Sequence, residues 1–202
     1  MPLRNRVLPS GEIVADPARG LFTGNRGALA VAPGVLSGRR WTTKAWICCE
    51  LHWRGRRRPL MQPGTWTELF FLDEAVALSA GHRPCGYCRR EDYARFRAAW
   101  ASAFGGAVKA PEMDAALHRA RTGERERLSL SELPEGSFVL GPDGPALLWR
   151  RKAVRYTPEG YRGTVTLPGE VEVLTPGPMR KVLAAGYRPI AHPSADEAIR
   201  HS

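Results

Sequence analysis

Leu69 to Trp100 reads LFFLDEAVALSAGHRPCGYCRREDYARFRAAW. Cys85 and Cys88 stand two residues apart on a Pro-Cys-Gly turn, and Pro84 and Gly86 suit a tight knuckle that brings both sulfurs to one side. An amphipathic helix pattern lies on each side. Upstream, Asp73 can cap a helix over Glu74–Ala80 and Gly81 can end it. Pro84 prevents immediate continuation. Downstream, Tyr93, Phe96, Arg97 and Trp100 recur at helical spacing in a second helix from about Arg90 to Phe104. The adjacent carboxylates Asp73 and Glu74 read as a cap and a first-turn charge rather than an acid–base pair.

Working outward, the chain has two further thiols, Cys48 and Cys49. Four soft ligands in two clusters point to one tetrahedral zinc site. Ile47, Cys49, Leu51 and Trp53 alternate with Trp46, Cys48, Glu50 and His52, as a strand should. Neighbours on a strand face opposite ways, so Cys48 and Cys49 do not both reach one ion on regular backbone. Cys49 shares a face with Ile47 and Leu51; Cys48 shares one with His52. The candidate metal ligands are therefore Cys48, Cys49, His52, Cys85 and Cys88. His82 is a further possibility through His-x2-Cys-x2-Cys spacing, although packing on Phe70 or Tyr87 accounts for it better. A thioredoxin-type dithiol would open a helix after a parallel strand, whereas here a helix precedes the motif. His118, His192 and His201 are remote and read as surface residues.

The 202 residues carry 30 Lys and Arg against 20 Asp and Glu, a net charge of +10, with 43% hydrophobic residues. That is a globular composition, and the basic excess makes a polyanion a candidate partner. No window approaches the ~20 apolar residues of a membrane span, so no membrane partner is expected. The opening MPLRNRVLPSGEIV lacks the apolar core of a secretory signal, so the expected compartment is cytoplasmic, where C-x-x-C reads as metal-binding or redox.

Residues 1–40 are rich in Gly, Pro and Arg and read as turns joining short strands. Residues 54–58, Arg-Gly-Arg-Arg-Arg, form a basic turn. Gly105-Gly106 breaks the second helix, and Glu112–Thr122 is a third. A charged hinge at 123–127 marks the expected boundary between a module at 1–122 and one at 123–202. The second module shows five short strand candidates, from Phe138 to Leu174, separated by Gly141-Pro-Asp-Gly, Pro158-Glu-Gly and Pro168-Gly, as in a small sheet or partly closed barrel. Pro178–Ala185 reads as a final helical turn. Trp149-Arg-Arg-Lys152 suits either a basic surface or a charged strand edge. The expected class is α+β: helices around a small sheet, then a small β-rich module.

The segment LFFLDEAVALSAGHRPCGYCRRED resembles the Ada-type metal-binding domain of bacterial alkyl-DNA response and repair proteins. That family has a Phe-Phe run, an Ala-rich helix, then Gly-aromatic-Arg-Pro-Cys-x-x-Cys-Arg; Arg83 matches the arginine before Pro-Cys. Upstream it has Thr-Thr-Gly-Ile-aromatic-Cys with a second Cys four residues on; here Thr42-Thr43-Lys-Ala-Trp-Ile-Cys48 is followed at that distance by His52. The resemblance spans about residues 40–104 and implies Cys48, His52, Cys85 and Cys88 as ligands. The chain departs from it in one extra residue, Lys44 for the glycine, a longer basic insertion and the missing second Cys. The family's helix-turn-helix and its Pro-Cys-His-Arg methyltransferase motif are absent. Zinc there holds a thiolate that takes a methyl group from a DNA phosphotriester, which makes Cys48 the candidate catalytic acceptor.

These readings lead to a zinc-stabilised nucleic-acid-binding protein, DNA before RNA, in damage response. Its candidate phosphate contacts are Arg54, Arg56, Arg57 and Arg58 beside Trp53, and Arg83, Arg89 and Arg90 beside the knuckle. The alternatives are a zinc-thiolate methyl acceptor and a protein-interaction module whose zinc is purely structural.

Overall fold

The computed structural model describes residues 1–55 and 59–200. Arg56, Arg57 and Arg58 of the basic turn, and His201, lie outside the described residues. The class is α+β: the described residues form five α-helices, two six-stranded sheets and a two-stranded one.

The N-terminal half supplies β1 (Arg4–Val7), β2 (Ile13–Ala15), β3 (Phe22–Asn25), a small hairpin of β4 (Ala30–Ala32) and β5 (Val35–Leu36), then β6 (Ile47–Glu50), β7 (Leu69–Phe71), α1 (Glu74–Ser79), β8 (Arg83–Pro84), α2 (Arg90–Phe104) and α3 (Ala110–Thr122). Its large sheet runs β2-β1-β7-β3-β6-β8. β1 with β7 and β6 with β8 are parallel, and the remaining pairs are antiparallel.

The C-terminal half supplies β9 (Arg127–Ser129), β10 (Phe138–Gly141), β11 (Gly144–Trp149), β12 (Lys152–Thr157), β13 (Gly160–Thr164), β14 (Glu170–Val173), α4 (Gly177–Ala184) and α5 (Ser194–Arg200). Its strands form an open antiparallel sheet in the order β13-β12-β11-β10-β14-β9, not a barrel. The five expected strands are all present within a residue or three. β9 and α5 were not expected, because three residues of Arg-Leu-Ser and a polar heptad carry little periodic signal. Trp149-Arg-Arg-Lys152 is not a strand edge, and its Arg150, Arg151 and Lys152 are exposed, as a basic surface requires. It is a two-residue hairpin turn with Arg150 and Arg151 at φ 46° and 62°, a conformation that usually selects Asn-Gly.

α1 departs most from its expected amphipathic character. Asp73 caps it as read, accepting from the Val76 amide at 2.9 Å, and Gly81 ends it at φ 84°. Yet every residue from Glu74 to Ser79 is buried. Its small side chains let it lie between the two halves. Ala75, Val76 and Ala77 share one buried cluster with Phe22, Leu69 and Phe71 on one side and Phe138, Leu147, Val154 and Tyr161 on the other. A second cluster joins Phe96, Trp100, Met113 and Leu117 to Met179, Val182, Leu183 and Tyr187. The 122/123 boundary thus separates the two sheets along the chain but not in packing: both clusters cross it.

Candidate metal centre

Cys49 reaches the knuckle because of strand register. β8 lies parallel to β6, with Ile47 opposite Arg83 and Cys48 opposite Pro84. The Cys85 amide donates to the Cys48 carbonyl at 2.8 Å. Continued by one residue, this register sets Cys49 beside Cys85 on one face, and the Gly86-Tyr87 turn returns Cys88 to the same place. The sulfurs of Cys49, Cys85 and Cys88 lie within 4.8 Å of one another. Zn–S bonds of ~2.3 Å at tetrahedral angles need sulfurs about 3.8 Å apart, which falls within that limit.

The backbone shapes the knuckle further. The Tyr87 amide donates to Cys85 Sγ and the Glu50 amide to Cys88 Sγ, both at 3.4 Å. Gly86 leaves room for Tyr93, whose ring carbons would stand 3.0 Å from any Cβ there. Cys49 and Cys88 are half-buried and Cys85 is buried. The three sulfurs compete for protons. Hydrogen bonds from Cys49 and Cys88 lower the Cys85 thiol, while its hydrogen bonds to the other two sulfurs raise Cys49. Cys88 is raised as well, by Cys85, by burial and against the hydrogen bond of Cys49. Without a cation the cluster favours a single thiolate; a bound cation permits all three to deprotonate. This donor set fits a soft or borderline ion such as zinc.

The resemblance-based ligand set is corrected in two positions. Cys48 faces the other side of β6, is 0% exposed and belongs to the main core. Its sulfur accepts from Arg89 Nη1 at 3.4 Å, and burial pushes its thiol up. It is closed to the acceptor role assigned to it. His52 is exposed and stands outside the three-sulfur group. His82 does not join either. It is fully buried against Phe71 and Trp46, at 4.6 and 5.1 Å between ring centres, and accepts from Arg26 Nε. Among the described residues no fourth His, Cys, Asp or Glu completes the group.

The basic residues divide in the same way. Arg83 is buried in a bidentate pair with Asp114, at 2.8 and 2.9 Å, and is not available to phosphate. Arg89 is also withdrawn, its side chain 0% exposed and paired with Glu74 at 2.9 Å and Asp92 at 2.6 Å. Both sit where they do because they flank the knuckle and the core closes over its inner side. Arg54 and Arg90 remain exposed. Arg54 stacks on Trp53 at 5.1 Å, and Trp53 meets the half-exposed Tyr87 edge-on at 5.8 Å. His118 and His192, read as surface residues, are half-buried: His118 packs edge-on against Trp41, and His192 bonds Ser194.

Sequence reading missed the role of Glu74. Its carboxylate takes the Tyr187 hydroxyl at 2.6 Å, the Ile190 amide at 2.9 Å and Arg89. Asp73 likewise accepts from the Tyr161 hydroxyl at 2.7 Å and the His192 amide at 2.8 Å as well as capping α1. The available signal was the helix itself: EAVALS offers no polar face, so a glutamate in its first turn has no solvent to reach.

No protein-family model, curated protein or solved structure matches the chain. Among the described residues no helix is long and apolar enough to cross a membrane.

Proposed function

We propose that Cys49, Cys85 and Cys88 hold a zinc ion that fastens β6 to the knuckle, and that the surface around it contacts nucleic acid. The convergence of three thiols from two distant segments carries the reading. Supporting it are the N–H···S bonds at Cys85 and Cys88 and a rim of exposed Tyr87, Arg54 and Arg90 around the half-buried Trp53. Cations beside aromatic rings suit phosphate contact and base stacking. The resemblance to the Ada-type domain points the same way.

Filter binding of the zinc-loaded protein to duplex and single-stranded DNA across a salt series tests it. The expected result is an affinity that falls as salt rises, with a slope reduced by about one on replacing Arg54 or Arg90. Affinity indifferent to salt, or unchanged by both substitutions, refutes the nucleic-acid half. Purified protein without stoichiometric metal refutes the zinc half.

A second reading follows from the partial exposure of Cys49 and Cys88. A zinc-held thiolate at either position would attack the methyl carbon of an alkylated phosphotriester. The S–C bond forms, the C–O bond breaks, and the electron pair stays on the phosphodiester oxygen. Mass spectrometry after incubation with methylated DNA decides it: one added methyl on Cys49 or Cys88 supports transfer, and an unmodified chain rules it out.

A further inference from the structure

Arg26 is the largest fully enclosed side chain among the described residues, 1% exposed, and among them no carboxylate pairs with it. Nε donates to His82, Nη1 donates to the Gly11 carbonyl at 2.9 Å, and the guanidinium stacks on Trp46 at 4.0 Å. Among the described residues Nη2 has no hydrogen-bond partner. A buried cation without an anion is a costly arrangement, and partial satisfaction by neutral acceptors leaves most of that cost in place. Arg121 compounds it, stacking on the same Trp46 at 3.7 Å and, among the described residues, bonding the carbonyls of Gly81 and Lys44 and the ring of His118 but no carboxylate. Burial comes first, then mutual repulsion with Arg121 and Arg40, in lowering Arg26 to about 9.

This unpaired charge borders open space. Two adjoining cavities of about 540 and 550 Å³ share Ser10, Gly11, Arg40 and Arg125 in their walls. The second is lined by five arginines and one carboxylate, Glu12. Arg125 is already paired with Glu172 at 2.9 Å and Arg4 Nε donates to the Ile13 carbonyl, which leaves Arg26, Arg39 and Arg40 as its cations without an acidic partner among the described residues. Arg26 Nη2 lies 3.9 Å from where a Cβ on Gly11 would stand, so the glycine leaves the orphaned donor close to the cavity wall. Arg39 and Arg40 are exposed at the rim, and the Arg40 guanidinium lies 6.0 Å from the Trp41 ring centre.

We propose that this cavity binds a small phosphate-bearing anion, received by Arg26 at its inner wall and Arg40 at its rim. Guanidinium forks match phosphate oxygens, and the excess of positive charge suits a dianion better than a single carboxylate. A phosphate within a duplex backbone is a poor candidate, since Arg26 lines the inner wall of the cavity, behind the exposed Arg39 and Arg40. The site is separate from the thiol cluster and does not depend on the zinc reading.

The test is calorimetric titration of the full chain with inorganic phosphate, pyrophosphate and acetate at constant ionic strength, with thermal melts alongside. The expected result is saturable binding at one site for phosphate or pyrophosphate, a melting temperature that rises with ligand, and acetate at least roughly tenfold weaker. Arg40→Gln, at an exposed position, should weaken binding roughly tenfold without lowering the melt of the free protein, since it relieves repulsion on Arg26. Arg26→Gln should abolish it, with folding checked by circular dichroism. Absence of saturable binding, equal binding of acetate, or affinity unaffected by Arg40→Gln would overturn the proposal. So would a protein that ignores phosphate yet binds duplex DNA independently of Arg26.

Discussion

Arg89 and Glu74 form an ion pair at 2.9 Å in which neither side chain is exposed. The residue directly after the knuckle's last cysteine is thus tied to the first turn of α1. Through Tyr187 and the Ile190 amide the same carboxylate is tied to the end of the C-terminal half. The candidate metal centre is therefore anchored to the shared core and is not a peripheral clip.

Removing one partner of such a pair leaves an uncompensated buried charge. Glu74→Gln should destabilise the fold by about 3–5 kcal/mol. Tyr187→Phe, which leaves the pair intact, should cost nearer 1 kcal/mol. Urea unfolding of the metal-loaded proteins separates them; equal losses would show that the hydroxyl, not the ion pair, dominates.

The strand register makes opposite demands of two adjacent thiols. Cys48→Ala should retain stoichiometric metal, because its sulfur is directed into the core. Cys49→Ala should lower metal affinity by more than the roughly 10–100-fold that an outer-shell change costs. Elemental analysis and chelator competition on both variants provide the check. A Cys48→Ala protein that loses its metal while Cys49→Ala keeps it would restore the ligand set implied by the resemblance. In either protein that binds, affinity should fall as pH falls, since each thiol must surrender a proton.

Asp73 gives a signed pH effect. Burial pushes its carboxyl from 3.8 up to about 6, against hydrogen bonds from Val76, His192 and Tyr161 that favour the charged form. A raised folded value means that protonation favours the fold. The contribution is whole below about 4 and is lost as pH rises through about 6. The stability difference between wild type and Asp73→Asn should therefore shrink between pH 4 and 7, by roughly 3 kcal/mol at most. A difference that stays flat across that range would contradict it.

A fragment of residues 1–122 should not fold alone. Its Ala75–Ala77 face would lose Phe138, Leu147 and Val154, and its Phe96 cluster would lose Met179, Val182 and Leu183. Circular dichroism and hydrogen exchange of the zinc-supplied fragment would show this; a cooperative melt would make the two halves true domains.

Local order was legible because it rests on local rules. Asp73 as cap, Gly81 as stop, α2 from Arg90 to Phe104 and the β10–β11 and β12–β13 turns follow from periodicity, caps and turn residues within a few positions of one another, whereas the Arg150-Arg151 turn does not. The C-x-x-C knuckle was equally plain, since Cys85–Cys88 is written in four residues after Pro84. Sequence also set the limits: four thiols, a net charge of +10 and one strand carrying two adjacent cysteines.

What the chain could not announce is which of those two cysteines faces the knuckle. Alternation showed only that they diverge. The choice depends on β8 pairing with β6 in one parallel register, and slipping that register by one residue would exchange their faces. The same holds for charge. A sequence counts arginines, but only packing around α1 decides that Arg83 and Arg89 are spent on Asp114, Glu74 and Asp92 while Arg26 is enclosed without an anion. Burial and pairing depend on residues dozens of positions away, so they come into being only with the tertiary fold.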